Sequence, residues 1–292
     1  GITTEYKIAE NLLPSVSLQE VNAVADILKG DPHLFAFIMG PEKADIQLPT
    51  PSGLLKEIAA AEKADIKPYE EKAIATSLLP ALPKAGKVIA KKNNTITGTT
   101  ELSLSNGVTV TLKTTNFKND EILMSASRYG GTSNYALPDK YNATYTIAAV
   151  NAMGYGSFSP TDLQKALSGK TVSANPFMGS TMEGIKGSST VKDLETMFQL
   201  LYLKLTQPRT DSSLFKSYLQ KNKTQLALLS ANPQAAFIDT TFRVYYHDNP
   251  LAPVQVPHAE YFDSIQAARV IDIYKERFGD AGGFHFVFTC NF

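Results

Sequence analysis

The sequence predicts an α+β fold, in which a mainly antiparallel sheet is covered on one face by helices. Three observations predict it. Alternating apolar residues flank an Asn-Gly pair at residues 106–107, apolar residues recur at helical spacing over 191–207, and strands are segregated from helices along the chain. Hydrophobic residues make up 43 % of the 292 residues and charged residues 19 %, which is enough apolar material for a folded core. We therefore expect a two-layer α/β domain.

The elements of this domain are predicted between residue 99 and the end of the sequence. Residues 99–115 form a hairpin, because Asn-Gly tolerates the positive φ of a tight turn. Ser159 precedes Pro160, a pair typical of a helix start. The other predicted elements are a strand at 121–131, a helix at 139–153, two paired strands within 171–189, a helix at 191–207 ending before Pro208, two helices within 211–247, and a last helix and strand.

Two stretches resemble each other, 17–40 and 264–291. Each opens with a serine predicted to cap a helix (Ser17 and Ser264), continues with an Asp-Ile-x-Lys sequence, and ends in a predicted strand with a Phe-x-Phe pattern. Because the two stretches are about one domain apart, we interpret them as an internal repeat. The chain would then hold the tail of one unit followed by one complete unit.

This repeat predicts the domain organisation. Residues 1–77, with an amphipathic helix at 49–71, are the C-terminal part of a preceding homologous domain. Residues 78–100 contain two prolines and two glycines without a sustained period, which predicts an extended linker. Residues 101–292 form the complete domain.

Composition excludes several classes of function. Lys plus Arg and Asp plus Glu both number 28, and nothing in that balance favours nucleic acid, whose binding needs a basic surface. The longest apolar runs, such as 34–39, are far shorter than the ~20 residues that cross a bilayer. The one cysteine, Cys290, excludes a disulfide within the chain and is interpreted as a small apolar strand residue. Since the sequence begins at Gly1 without Met, we expect a cut or processed chain.

The histidines do not form a metal-binding motif, because none is three or four residues from another. They stand at positions 33, 247, 258 and 285. His33 and His285 lie on predicted strands, where a single histidine is usually a packed or surface side chain. His258 and Glu260 span a predicted helix start, where we expect a capping role. We therefore predict neither a metal ligand nor a catalytic residue in the chain.

Three glycine- or proline-containing stretches receive structural interpretations. Residues 154–159 follow a helix and not a strand, so they do not form a dinucleotide-binding loop. Residues 130–135 could bind an anion or a peptide, although a turn that needs a flexible backbone is the favoured interpretation. Residues 207–209 are interpreted as a helix end with an ion-paired arginine. No Gly-x-Ser-x-Gly nucleophile elbow occurs.

Four segments taken in order resemble the pitrilysin/insulinase zinc metallopeptidases, specifically the long bacterial branch with four homologous domains in one chain. They are residues 101–133, 154–173, 193–209 and 274–292. The resemblance covers nearly all of 95–292. In that family, the first domain carries an inverted His-x-x-Glu-His zinc motif on a helix, and a later glutamate completes the zinc site.

Carried onto this sequence, the resemblance places Ala148 and Ala152 where the histidines would be and Asn151 where the general base would be. The later glutamate would come from 214–238, which contains no Asp or Glu. Alanine has no lone pair for a metal, and asparagine cannot take up a proton at neutral pH. The resemblance thus implies no zinc in this segment, with zinc expected in an upstream domain.

The implied function is a noncatalytic segment of a zinc metalloendopeptidase that forms part of a substrate-enclosing chamber. Its expected partners are the catalytic half of the parent protein and a peptide substrate. The alternative is a stand-alone noncatalytic partner subunit or peptide-binding module for an active metallopeptidase. Because relatives of this branch are often exported, the resemblance implies a periplasmic location.

Overall fold

The structure, a computed structural model, describes residues 1–28, 34–40, 47–67, 77–229 and 232–291. The chain divides into two units, residues 1–71 and 72–292. The described strands are β1 (Val88–Asn94), β2 (Thr99–Leu104), β3 (Thr109–Thr114), β4 (Ile122–Tyr129), β5 (Val172–Met178), β6 (Met182–Ser189) and β7 (His285–Cys290). The described α-helices are α1 (Ile2–Leu12), α2 (Leu18–Val24), α3 (Pro51–Glu62), α4 (Lys140–Met153), α5 (Pro160–Ala166), α6 (Leu194–Thr206), α7 (Ser212–Leu229), α8 (Pro233–Tyr245) and α9 (Ala267–Phe278).

The seven strands form one sheet in the order β1-β2-β3-β7-β4-β6-β5. Every neighbouring pair is antiparallel except β3 and β7, which run parallel with Val110 opposite Phe286. The predicted hairpin is confirmed, since Ser103 pairs with Thr109 across the turn and Gly107 has φ 82°. The last strand therefore lies in the middle of the sheet, between β3 and β4.

Alternation along the strands separates a buried face from an open face. In β4, Ile122, Met124 and Ala126 are buried, and the residues between them are exposed. Helices α4 and α6 pack on the buried face, and α9 packs against both helices. The predicted two-layer arrangement, a mainly antiparallel sheet with helices on one side, is confirmed.

The predicted helices and strands of 99–292 are confirmed with small changes in their bounds. Ser159 caps α5 as predicted: its hydroxyl accepts the Asp162 N–H, and the Asp162 carboxylate accepts the Ser159 N–H in return. Ser17 caps α2 in the same way with Glu20. The prediction for Ser264 is wrong, because Gln266 occupies the cap position of α9.

The described part of residues 1–71 differs from the predicted repeat. Phe35 and Phe37 lie outside any strand and are 83 % and 66 % exposed. The predicted helix at 49–71 ends at Glu62. None of the described residues in this unit is buried. Their apolar side chains therefore lack the partners that would make a core.

The prediction of an extended linker at 78–100 is wrong over residues 88–94, which form strand β1. This strand pairs with β2 in a register that places Lys91 opposite Leu102 and Asn94 opposite Thr99. Leu78 and Leu79 are also buried in the core of the second unit. The assignment of three domains at 1–77, 78–100 and 101–292 stays a prediction.

Candidate functional site

Helix α4 contains residues 148–152, which the family resemblance assigns to the zinc-binding motif. Its inner face packs against α9 and includes Ala149, Val150 and Met153, all fully buried. Ala148 and Asn151 lie on the exposed side of the same helix. Ala148, assigned to the first histidine, and Asn151, assigned to the general base, are therefore exposed and lie away from the core. Their side chains are a methyl group and an amide.

Helix α7 packs against α4 and would carry the third ligand. It covers residues 212–229 and holds no aspartate or glutamate. The stretch 214–238 also includes the start of α8, whereas residues 230–231 lie outside the described residues. The nearest acid is Asp239 on α8, one residue beyond the stretch.

A small polar network joins α4 to its neighbours just beyond Asn151. The Tyr155 hydroxyl donates to Asn151 Oδ1 at 2.7 Å and accepts from the Tyr274 hydroxyl at 3.4 Å. Burial raises the pKa of both phenols, so both stay protonated. The Lys204 ammonium lies 5.3 Å from the centre of the Tyr155 ring, and burial lowers the pKa of Lys204 to about 8. The amide of Asn151 is thus held by a phenol and serves structure.

A second polar cluster, centred on Glu183, was not predicted from the sequence. Glu183 is fully buried on β6, where its carboxylate accepts hydrogen bonds from Arg128 of β4 and from Arg277 of α9. It also accepts the Gly131 N–H at 3.0 Å. Burial alone would raise the pKa of Glu183, but these three hydrogen-bond donors outweigh it and hold the pKa below the usual range.

This cluster explains the stretch 130–135. The favoured interpretation as a turn is confirmed, because Gly131 has φ 91° and Thr132–Asn134 form a 3₁₀ turn. The anion that the turn binds belongs to the chain itself, since it is the carboxylate of Glu183. Sequence reasoning could not pair these residues, because the strand register that places Arg128 opposite Glu183 is a property of the sheet.

The histidines that the structure describes are dispersed. His285, on β7, lies on the open face between the hydroxyls of Thr109 and Thr111, at 2.7 Å and 3.2 Å. His247 follows α8 with φ 51°. His258 occupies the N-cap position of the 3₁₀ turn Ala259–Asp263, as predicted, but its side chain makes no capping hydrogen bond. The position of His33 lies outside the described residues.

The remaining predicted features have ordinary structural roles. Arg209 donates to Asp211 at 2.7 Å after α6 ends at Thr206, as predicted. Cys290 is buried in β7, as expected for a small strand residue. Among the residues the structure describes, no group of three or more His, Cys, Asp or Glu side chains is placed to hold a metal ion. Over the same residues, no helix has the length and hydropathy needed to cross a membrane.

Comparison with known proteins relates the chain to a zinc protease-like protein. No family model matches the chain. A protein of Arabidopsis thaliana described as "Zinc protease PQQL-like" is 25 % identical over 202 residues, which is 69 % of this chain and 19 % of that protein. The chain therefore spans about a fifth of the curated relative it matches.

Solved structures share the fold. The periplasmic protease PqqL from Escherichia coli matches with a TM-score of 0.64 and 17 % identity, over 83 % of this chain and 26 % of that one. The ferredoxin protease FusC, solved in complex with Arabidopsis ferredoxin, matches with a TM-score of 0.61 and 17 % identity, over 85 % and 27 %. Pitrilysin matches with a TM-score of 0.50 and 14 % identity, over 70 % and 22 %.

Over 69 % of its length the chain is therefore similar in sequence to a zinc protease-like protein, and it shares the fold of PqqL and pitrilysin. More particularly, the chain is similar to about a quarter of PqqL and to a fifth of a PqqL-like zinc protease. The predicted resemblance is thereby confirmed.

Proposed function

We propose that this chain is a noncatalytic segment of a zinc metalloendopeptidase and forms part of the chamber that encloses the substrate. The zinc and the general base belong to another domain of the parent protein. One observation carries the proposal. The exposed side of α4, where the zinc motif would stand, presents Ala148 and Asn151, and the facing helix α7 holds no acid.

The fraction of the relatives that the chain covers supports this proposal. A segment that matches about a quarter of each protease leaves room for the catalytic domain elsewhere in the parent. The exposed apolar side chains of residues 1–71 fit a unit whose core is completed by a preceding segment. FusC is a ferredoxin protease solved in complex with ferredoxin, so a protein that contains this fold can bind a protein substrate. For this chain, the substrate and a periplasmic location are part of the proposal.

The chain as it stands can test the noncatalytic role. Chelator-washed protein is titrated with Zn²⁺ under calorimetry and is then assayed with a library of quenched fluorescent peptides. We expect no stoichiometric zinc and no chelator-sensitive cleavage, because the ligands and the base are missing. One equivalent of tightly held zinc, or cleavage abolished by a chelator, would contradict the proposal.

The alternative is a stand-alone partner subunit, and the parent gene discriminates between the two. An in-frame His-x-x-Glu-His motif upstream of Gly1 supports a segment of one long protease. A start codon close to Gly1 supports a separate partner for an active enzyme.

A further inference from the structure

A pocket between α7 and α8 lies apart from the α4 region and has no role in the proposal above. It has a volume of about 350 Å³ and is closed on its third side by residues 256–260. Apolar side chains form much of its wall, among them Leu226 of α7, Ala235 of α8 and Val256. A volume of this size accommodates one long side chain.

Two carboxylates give one edge of the pocket a negative charge. Asp239 and Glu260 line it together with His258, and the imidazole lies between the two carboxylates. His258 Nε2 is 3.2 Å from Asp239 Oδ1, and His258 Nδ1 is 3.5 Å from Glu260 Oε1. The Nε2 atom is buried and makes no hydrogen bond, so its contact with Asp239 is a close approach without hydrogen-bond geometry.

No nearby lysine or arginine among the described residues is paired with these acids. The described residues that line the pocket include no lysine or arginine. Arg243, one turn along α8 from Asp239, donates to Asp248 at 2.9 Å. Lys223 of α7 is bonded to Asp263, and Lys140 donates to the Pro250 carbonyl at 2.6 Å. Each of these cations is therefore engaged outside the pocket.

An apolar wall with an acidic edge complements an aliphatic chain that ends in a positive charge. Lysine and arginine side chains have this form, because they bury their methylene stems and place a cationic head at a polar rim. A metal ion fits the pocket poorly, since Asp239 and Glu260 approach different nitrogens of the imidazole and cannot share one ion with it.

We propose that the α7–α8 pocket binds the side chain of a lysine or arginine in an extended peptide, with Asp239 and Glu260 facing its cation. This inference rests on the proposed function, because the peptide would be the substrate held in the chamber. The pocket would then act as a subsite that orients the substrate at a distance from the zinc.

Three ligands added to the whole chain test this proposal: acetyl-Ala-Lys-Ala-amide, the same peptide with norleucine in place of lysine, and n-butylamine. Binding is measured by calorimetry and by the shift of the His258 imidazole signals in NMR spectra. We expect the lysine peptide to bind and to shift those signals, and the norleucine peptide to bind at least about tenfold more weakly, since it lacks the charge-assisted contact. n-Butylamine has the same aliphatic stem and ammonium as lysine but no peptide backbone, so we expect it to bind more weakly than the lysine peptide. Binding of n-butylamine as tight as that of the lysine peptide would overturn the peptide assignment.

Variants of the pocket locate the site. Asp239→Asn keeps the size of the side chain and is expected to weaken lysine-peptide binding about tenfold. Ala236→Phe is expected to block the pocket. Glu121→Gln, whose carboxylate pairs with Lys118 on the surface and does not line the pocket, is the control for loss of one negative charge and should bind as the parent does. Thermal unfolding of each variant checks that it is folded.

The outcomes separate this inference from the proposed function. Equal binding of the lysine and norleucine peptides, or unchanged binding by Asp239→Asn, would overturn the pocket assignment and leave the zinc result untouched. Stoichiometric zinc in the parent chain would overturn the noncatalytic role, even if the lysine peptide binds as expected.

Discussion

The carboxylate of Glu183 and the guanidinium of Arg277 form a two-point contact that fastens helix α9 to strand β6. Arg277 Nε lies 2.8 Å from Glu183 Oε2, and Arg277 Nη2 lies 2.9 Å from Oε1. A planar guanidinium and a carboxylate match each other in this way, so the contact fixes orientation as well as distance. The buried acid therefore couples the two layers of the domain.

Replacing Glu183 with glutamine should destabilise the fold strongly. The variant leaves the charges of Arg128 and Arg277 without their carboxylate partner in a buried site. Removing one charge of a buried ion pair lowers the free energy of unfolding by about 3–5 kcal/mol. Urea unfolding followed by circular dichroism measures the loss. Glu121→Gln is the control, because the ion pair of Glu121 with Lys118 is on the surface and should contribute less than about 1 kcal/mol. Equal losses in the two variants would contradict a structural role for Glu183.

The same carboxylate predicts a dependence on acid. Because its pKa is lowered in the folded state, Glu183 stabilises the fold above the ordinary glutamate pKa, and this contribution is lost as pH falls through the folded-state pKa. We expect the difference in unfolding free energy between the parent and Glu183→Gln to shrink as pH falls below about 4. A difference that stays constant down to pH 2 would show that the charge of Glu183 is not involved.

Lys204 predicts that stability also rises with pH in an alkaline window. Its pKa of about 8 is below the ordinary lysine value, so the unfolded chain binds more protons between about pH 8 and 10, and folding becomes more favourable as pH rises through this window. The shift corresponds to a gain of about 2 kcal/mol across those two pH units. Lys204→Met should remove this gain while keeping the packing on Tyr155. Parallel stability curves for the two proteins between pH 8 and 10 would contradict the burial of the ammonium.

Gly154, at the end of α4, is expected to tolerate no side chain. It has φ 95°, and a Cβ atom there would lie 2.2 Å from the Phe158 carbonyl oxygen. Gly154→Ala should therefore cost about 2–4 kcal/mol, through both steric overlap and backbone strain. Gly169 separates backbone strain from steric overlap, because it has φ 74° but no atom lies within 4 Å of a Cβ placed there. Gly169→Ala should therefore cost only the backbone strain, about 1 kcal/mol. Thermal unfolding of both variants gives the comparison.

Restoring the zinc motif tests the register assigned to α4. Ala148→His, Asn151→Glu and Ala152→His together rebuild His-x-x-Glu-His, and histidines four residues apart share one face of a helix. We expect the triple variant to bind Zn²⁺ in calorimetry when the parent chain does not. A variant with Ala148→His alone is the control. A triple variant that binds no more zinc than this control would show that the register is wrong.

The sequence was most informative where local pattern and tertiary structure agree. The Asn-Gly hairpin, the Ser159 cap and the apolar stripe of α6 all fell where they were expected, because each depends on neighbours within a few residues. Strand β1 was missed, since Lys91, Lys92 and the asparagines after them show no alternation and depend on pairing with β2. The expected strand at Phe35 and Phe37 failed for the converse reason: the apolar pattern is present, but no strand partner lies beside it among the described residues.

The polar clusters could not be read from the sequence. Arg128 and Glu183 are 55 residues apart, and Glu183 and Arg277 are 94 residues apart, so only the strand register and the packing of α9 bring them together. The contact of Asp239 with His258 was missed for the same reason, because Asp239 belongs to another helix. What the sequence did provide was the lack of chemistry on α4 and α7, since missing side chains need no tertiary structure to be recognised.

The central position of β7 has a consequence for biosynthesis. Residues 285–290 are translated after every other described strand, yet among the described strands β7 alone lies between β3 and β4 and joins them. While the ribosome is still making this segment, the nascent sheet exists as two halves, each with an open inner edge. Completion of this domain therefore waits for its final strand, and until then a chaperone or a neighbouring chain could pair with either edge.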